Sequence, residues 1–120
     1  MPQNTWQIKY TTLIVINLNK KALSVNKCWQ GRRFKTQEYK QFEKDLLLTL
    51  PNLEIKNLLN IKLSITFGYS NKLNDIDNGL KPLIDILQKK YNFNDRYIYE
   101  LNVKKEIVKK GEEFILIKFK

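Results

Sequence analysis

The chain has 120 residues, 42% of them hydrophobic, with 22 lysines and arginines against 12 acidic residues, a formal charge of +10, one cysteine and no histidine. That length gives one domain around a single core, and the apolar content argues against disorder. Without histidine, Ser-His-Asp and Cys-His nucleophile pairs are excluded, and with Cys28 alone so are ordinary zinc sites. Oxygen ligands suited to Mg²⁺ or Mn²⁺ remain.

No apolar run approaches the roughly 18 residues that span a membrane. Met1-Pro2-Gln3-Asn4-Thr5-Trp6 lacks the basic and apolar regions of a secretory leader, and Cys28 cannot form an intrachain disulfide. The expected setting is intracellular, with no membrane partner. A charge of +10 suits a nucleic-acid binder, because lysines release counterions from phosphate. The abundance of Lys, Asn and Ile and the scarcity of Arg leave compositional bias as another source of that charge.

In chain order, Leu13-Ile14-Val15-Ile16 with Leu18 reads as a first strand buried on both faces. A long basic connection, 19–35, carries Lys20, Lys21, Lys27, Arg32, Arg33 and Lys35 with Trp29 and Phe34 among them. Thr36 is a plausible N-cap for a helix bearing Tyr39, Phe42, Leu46 and Leu50 at helical spacing, which Pro51 stops. Ile61, Leu63, Ile65 and Phe67 alternate with polar residues as a half-buried strand. Leu80, Leu83, Ile84, Leu87 and Tyr91 form the apolar stripe of a second helix, with Asn78 as its cap. Tyr97, Tyr99, Leu101 and Val103 alternate as another strand, and Lys109-Lys110-Gly111 reads as a hairpin turn into Phe114-Ile115-Leu116-Ile117. The order β-α-β-α-β-β predicts a single α+β domain, residues 1–120, with a mixed sheet and two main helices.

The chemistry-bearing string is Asn74-Asp75-Ile76-Asp77-Asn78-Gly79-Leu80-Lys81. Two carboxylates at i and i+2 on an extended segment project from one face and can clamp a hard cation. Lys81 lies one helical turn beyond Asp77, and Asp77, Lys81, Asp85 and Gln88 form a polar line. Asp95 begins at the far end of a helix about 20 Å long. It reaches the pair only through 91–94 or a neighbouring strand. Plainer roles fit the same residues. Asp75 and Asp77 suit turns or caps, Lys81 with Asp85 an ordinary helix pair, Asn94-Asp95 a turn, and Trp29 and Phe34 ordinary packing. The Asp-x-Asp pattern also occurs in sugar-nucleotide transferases, which the charge and small size disfavour.

Asp75-x-Asp77-Asn78-x-x-Lys81-x-x-x-Asp85-x-Leu87, followed by Asn94-Asp95-x-x-Ile98 and Lys104, closely resembles the RusA family of Holliday junction resolvases (crossover junction endodeoxyribonucleases). Ser24-Val25-Asn26-Lys27 resembles that family's Ser-x-Asn element, so the similarity covers about residues 23–119. The resemblance implies a Mg²⁺-dependent, structure-selective DNA endonuclease that resolves four-way junctions by paired nicks, working as a homodimer. It makes Asp75, Asp77 and Asp95 the metal-binding aspartates, Lys81 the essential lysine, and Asn26, Lys27, Arg32, Arg33, Lys35 and Lys104 the DNA contacts. One position departs from the pattern: Asn94 stands where the family has the first acid of a distal pair. The alternative is a catalytically weak or inactive protein of this scaffold that binds branched DNA.

Overall fold

The computed structural model describes residues 13–31, 34–55 and 58–120. Arg32 and Arg33 lie outside the described residues, as does the 1–6 stretch on which the expectation about a secretory leader falls. Strand β1 (Ile14–Leu18) leads through a 3₁₀ turn at Val25–Lys27 into a short ribbon, β2 (Trp29–Gln30) and β3 (Phe34–Lys35). Helix α1 (Gln37–Thr49), strand β4 (Ile61–Tyr69) and helix α2 (Leu80–Tyr91) follow. A second 3₁₀ turn at Asp95–Tyr97 enters β5 (Ile98–Ile107), and β6 (Phe114–Phe119) completes the order. The long strands form one sheet, β1-β6-β4-β5, in which β4 and β5 run parallel and the other neighbours antiparallel. The α+β class, the mixed sheet and the two helices are as the sequence predicts, with the ribbon added inside the expected basic connection.

The core lies between one face of this sheet and the two helices. Ile61, Leu63, Ile65, Phe67 and Tyr69 of β4, Ile115, Ile117 and Phe119 of β6, and Ile16 and Leu18 of β1 are buried together with Tyr39, Leu46, Leu83, Ile86 and Leu87. Alternation from Ile61 to Phe67 in β4 and throughout β6 is the signature of a sheet covered on one side. Strand β1 differs from expectation: Val15 and Asn17 are exposed while Ile16 and Leu18 are buried. It is an edge strand paired only with β6, and Val15 and Asn17 lie opposite Lys118 and Leu116 on the face of the sheet that the helices leave uncovered.

Helix α1 starts where Thr36 Oγ1 accepts the Tyr39 amide at 3.1 Å, and it ends just before Pro51. An N-cap hydroxyl of this kind contributes about 1 kcal/mol. Thr36→Ala is therefore expected to lower the unfolding free energy by about that amount in urea titration, a little more if the lost Thr36 bond to the Lys27 carbonyl also counts.

Three local expectations are corrected. Helix α2 is capped by Gly79, not Asn78, and Gly79 supplies no side-chain bond. Pro82 is tolerated because the first-turn amides have no intrahelical partner. The 109–111 turn does not close a hairpin, since β4 lies between β5 and β6. Gly111 (φ 93°) instead helps the chain cross the end of β4. Finally, β5 begins at Ile98, and Tyr99 and Leu101 are exposed. A register shift beside Ile61 and Lys62 interrupts the expected alternation at the strand's start.

Candidate functional site

Strand β4 ends at Tyr69, so Asp75 and Asp77 do not lie on an extended segment. They sit in successive turns: the Asn78 amide donates to the Asp75 carbonyl at 3.1 Å and the Leu80 amide to the Asp77 carbonyl at 3.0 Å. Strand alternation therefore does not place the two carboxylates on one face, contrary to expectation. Both side chains are exposed, and neither caps α2. Lys105 braces this loop, donating from Nζ to the carbonyls of Lys72 at 3.1 Å and Asn74 at 2.7 Å. The sequence did not single out Lys105. Strand alternation puts it on the side facing the loop, whereas Lys104 lies on the uncovered face of the sheet with Thr66, Lys118 and Lys120.

The distal aspartate is brought back onto α2. Asn92 adopts the left-handed conformation (φ 57°) at the helix end and reverses the chain. The Asp95 amide then donates to Gln88 Oε1 at 2.8 Å. This is the first of the two routes the sequence allowed. Lys81 Nζ stands 2.8 Å from Asp85 Oδ1 and 3.4 Å from Asp95 Oδ2. The polar line Lys81, Asp85, Gln88 thus gains Asp95 as a fourth member. The Asp85 hydrogen bond, and less strongly the charges of Asp85 and Asp95, raise the Lys81 pKa above its ordinary value against some desolvation. Lys81 remains a cation at and above neutral pH. Its side chain is 62% exposed, so the Asp85 pair contributes only about 0.3–0.5 kcal/mol to stability. Asn94 spends its side-chain oxygen on the Arg96 amide at 3.0 Å, the turn role that its sequence context allowed.

The two sequence segments that stood out, 24–27 and 75–81, are joined. Ser24 Oγ donates to Asn78 Oδ1 at 2.9 Å and the Val25 amide to the Asn78 carbonyl at 2.9 Å. Ser24 also accepts the Asn26 amide. Asn26 and Lys27 are thereby held exposed beside the acidic loop. Lys35 is engaged elsewhere, 3.1 Å from Glu43 and over the Tyr39 ring at 5.0 Å. Trp29 packs edge-on against Tyr39, the packing role expected of it, while Phe34 is 71% exposed. Cys28 is fully buried, and burial, then the charge of Asp85, pushes its thiol pKa up. It is a structural thiol and a poor nucleophile or ligand.

The donor chemistry around Lys81 suits a hard divalent cation, since the oxygens gathered there are the carboxylates of Asp85 and Asp95 and the amide of Gln88. The geometry gathers only part of a ligand set. Among the described residues no three acidic, histidine or cysteine side chains converge as a ready cation cage, and the Lys81 ammonium contacts both Asp85 and Asp95. No helix among the described residues is long and apolar enough to cross a membrane. Comparison with protein-family models and with curated proteins finds no match to this chain.

Proposed function

We propose that this chain is a divalent-cation-dependent endonuclease of the RusA kind, which resolves four-way DNA junctions inside the cell by paired phosphodiester nicks. The observation that carries the reading is the approach of Asp95 to Lys81, 14 residues apart in sequence, on the face that Asp85 and Gln88 line. The Ser24–Asn78 link supports it by joining the segment that carries Asn26 and Lys27 to the acidic loop.

In this reading Asp75, Asp77 and Asp95 would hold Mg²⁺, or Mn²⁺ in its place, and Asp95, which now contacts Lys81, would have to turn from it to do so. Such an ion supplies Lewis-acid polarisation of a phosphate. Lys81, released from Asp95 and kept protonated, offsets charge developing on the phosphoryl oxygens or leaving group. Asn26 and Lys27 contact the backbone beside the site, with Arg32 and Arg33 as further expected contacts. Lys104, on the opposite sheet face, would serve only DNA that wraps the molecule. Recognition is then by junction shape rather than base sequence. Two nicks in opposed strands call for two sites, which a two-fold homodimer provides.

A second reading has one observation in its favour, the lack of a three-carboxylate cluster among the described residues. The chain would then grip branched DNA with little or no cleavage. Binding alone is common to both readings. Measured against salt, log affinity is expected to fall linearly with log concentration by about 0.9 for each phosphate contacted on B-form arms. A flat response would mean that the lysines do not form the binding surface and would count against both. Incision of a labelled junction in Mg²⁺ separates them.

A further inference from the structure

Strand β5 forms one edge of the sheet, with β4 as its single neighbour. It is 10 residues long and contains neither proline nor glycine. Apart from the ladder with β4, no backbone hydrogen bond involves residues 99–107 among the described residues. The register sets Leu101 beside Leu63 and Val103 beside Ile65, on the helix side of the sheet. Leu63 and Ile65 are buried in the core, whereas Leu101 is 44% exposed and Val103 half-buried. Tyr99 and Ile107, 68% and 53% exposed, extend this open apolar margin. A long unpaired edge of this kind is a template for another strand, and proteins that must stay single blunt it.

The remaining side chains of β5 select the partner. Glu100, Asn102, Lys104 and Glu106 alternate on the uncovered face of the sheet, beside Lys62, Ser64, Thr66 and Gly68. Glu100, Lys104 and Glu106 make no ion pair among the described residues. Two copies of β5 laid antiparallel about a two-fold axis normal to the sheet keep like faces together. With the axis at Asn102, Glu100 of each copy stands opposite Lys104 of the other on the uncovered face. Leu101 then stands opposite Val103 on the helix side. Directly opposed side chains of opposite charge attract, and like charges repel. An axis at residue 100, 103, 104 or 105 sets Glu against Glu or Lys against Lys, and one at residue 101 leaves no charge pair within the strand. The irregularity in the β4 register at the start of β5 leaves 100–104 as the regular part of such a ladder.

We propose that the outer edge of β5 pairs antiparallel with the same strand of a second copy, centred on Asn102, and joins the two four-stranded sheets into one. The partner is a second copy because the charges of β5 complement themselves in this register. Each contact occurs twice, as in any isologous interface. The nuclease reading calls for a two-fold dimer, but the pairing rests on β5 and not on that reading. It also gives Lys104, on the face away from the acidic loop, a partner.

Sedimentation equilibrium of the full chain at physiological salt tests this, with Glu100→Lys, Lys104→Glu and the double exchange beside wild type. A reversible dimer is expected. Each single reversal sets two like-charge pairs in the ladder and is expected to raise the dissociation constant by about tenfold or more. The double exchange restores it to within about threefold. The single reversals change the net charge in opposite directions, so weakening by both cannot come from overall repulsion. Mild oxidation of Asn102→Cys is expected to give a covalent dimer, because opposed residues have Cα atoms about 4.5–5.5 Å apart, within disulfide reach. Asn17→Cys, exposed on the other edge strand, and wild type with its buried Cys28 should give none. A monomer at every concentration, reversals that act only as net charge dictates, or no Asn102→Cys cross-link would overturn the proposal. Paired incision by a dimer indifferent to residues 100 and 104 refutes the pairing alone. A dimer coupled through those residues that leaves DNA uncut supports the pairing and refutes the nuclease reading.

Discussion

Lys81→Ala is expected to slow single-turnover cleavage of a four-way junction by about a hundred- to a thousandfold, as for loss of about 3–4 kcal/mol of transition-state charge stabilisation. Its effect on melting should be slight, because the side chain is 62% exposed and its Asp85 partner 33%. The variant leaves Asp85 and Asp95 without the ammonium that touches both. Their mutual repulsion is screened by solvent, so the stability cost stays within a few tenths of a kcal/mol. Asp85→Ala removes the same ion pair and serves as the control. If Lys81 only braces the helix, both variants melt slightly early and cut normally. If Lys81 acts on the reacting phosphate, Lys81→Ala alone loses orders of magnitude in rate at unchanged stability.

Asp75→Asn is expected to lower Mg²⁺-dependent cleavage by about a thousandfold or more, the scale of several kcal/mol of lost metal-derived stabilisation. Junction binding should survive or tighten. The change removes a negative charge from a surface that receives phosphate, and at short range each like-charge contact costs about 1 kcal/mol even in water. Folding should be indifferent. Asp75 is exposed and contributes its carbonyl, not its carboxylate, to the turn, and asparagine suits such turns equally well. Near wild-type cutting by Asp75→Asn would remove this residue from the metal site.

The parts of the fold that were legible in the sequence are those set by local chemistry. Thr36 and Pro51 bracket α1 through a cap and a missing amide, and the apolar alternation from Ile61 to Phe67 fixes which face of β4 is buried. What was not legible depends on partners distant in the chain. The 109–111 turn has hairpin chemistry, yet β4 separates the strands it joins, and nothing local to the turn encodes that pairing. The apolar run at 13–16 suggests burial on both faces, but only one face of the sheet is covered and Val15 lies on the other.

The site divides in the same way. Of the predicted line Asp77, Lys81, Asp85 and Gln88, the last three follow from helix geometry alone, while Asp77 lies in the turn before the helix starts. The return of Asp95 depends on Asn92 adopting a left-handed conformation and on one hydrogen bond to Gln88, features that spacing does not reveal. The place of Asn78 before a helix suggests a cap, a role that falls to Gly79. The Asn78 side chain instead accepts from Ser24, 54 residues away.

The most direct measurement is incision of a four-way junction labelled on opposed strands by the purified full-length chain, run beside a linear duplex of the same sequence, with Mg²⁺ and with chelator. Paired, near-symmetrical nicks in the opposed strands of the junction, absent from the duplex and abolished by chelator, are the predicted result. Tight junction binding with both strands intact in Mg²⁺ and in Mn²⁺ would contradict it.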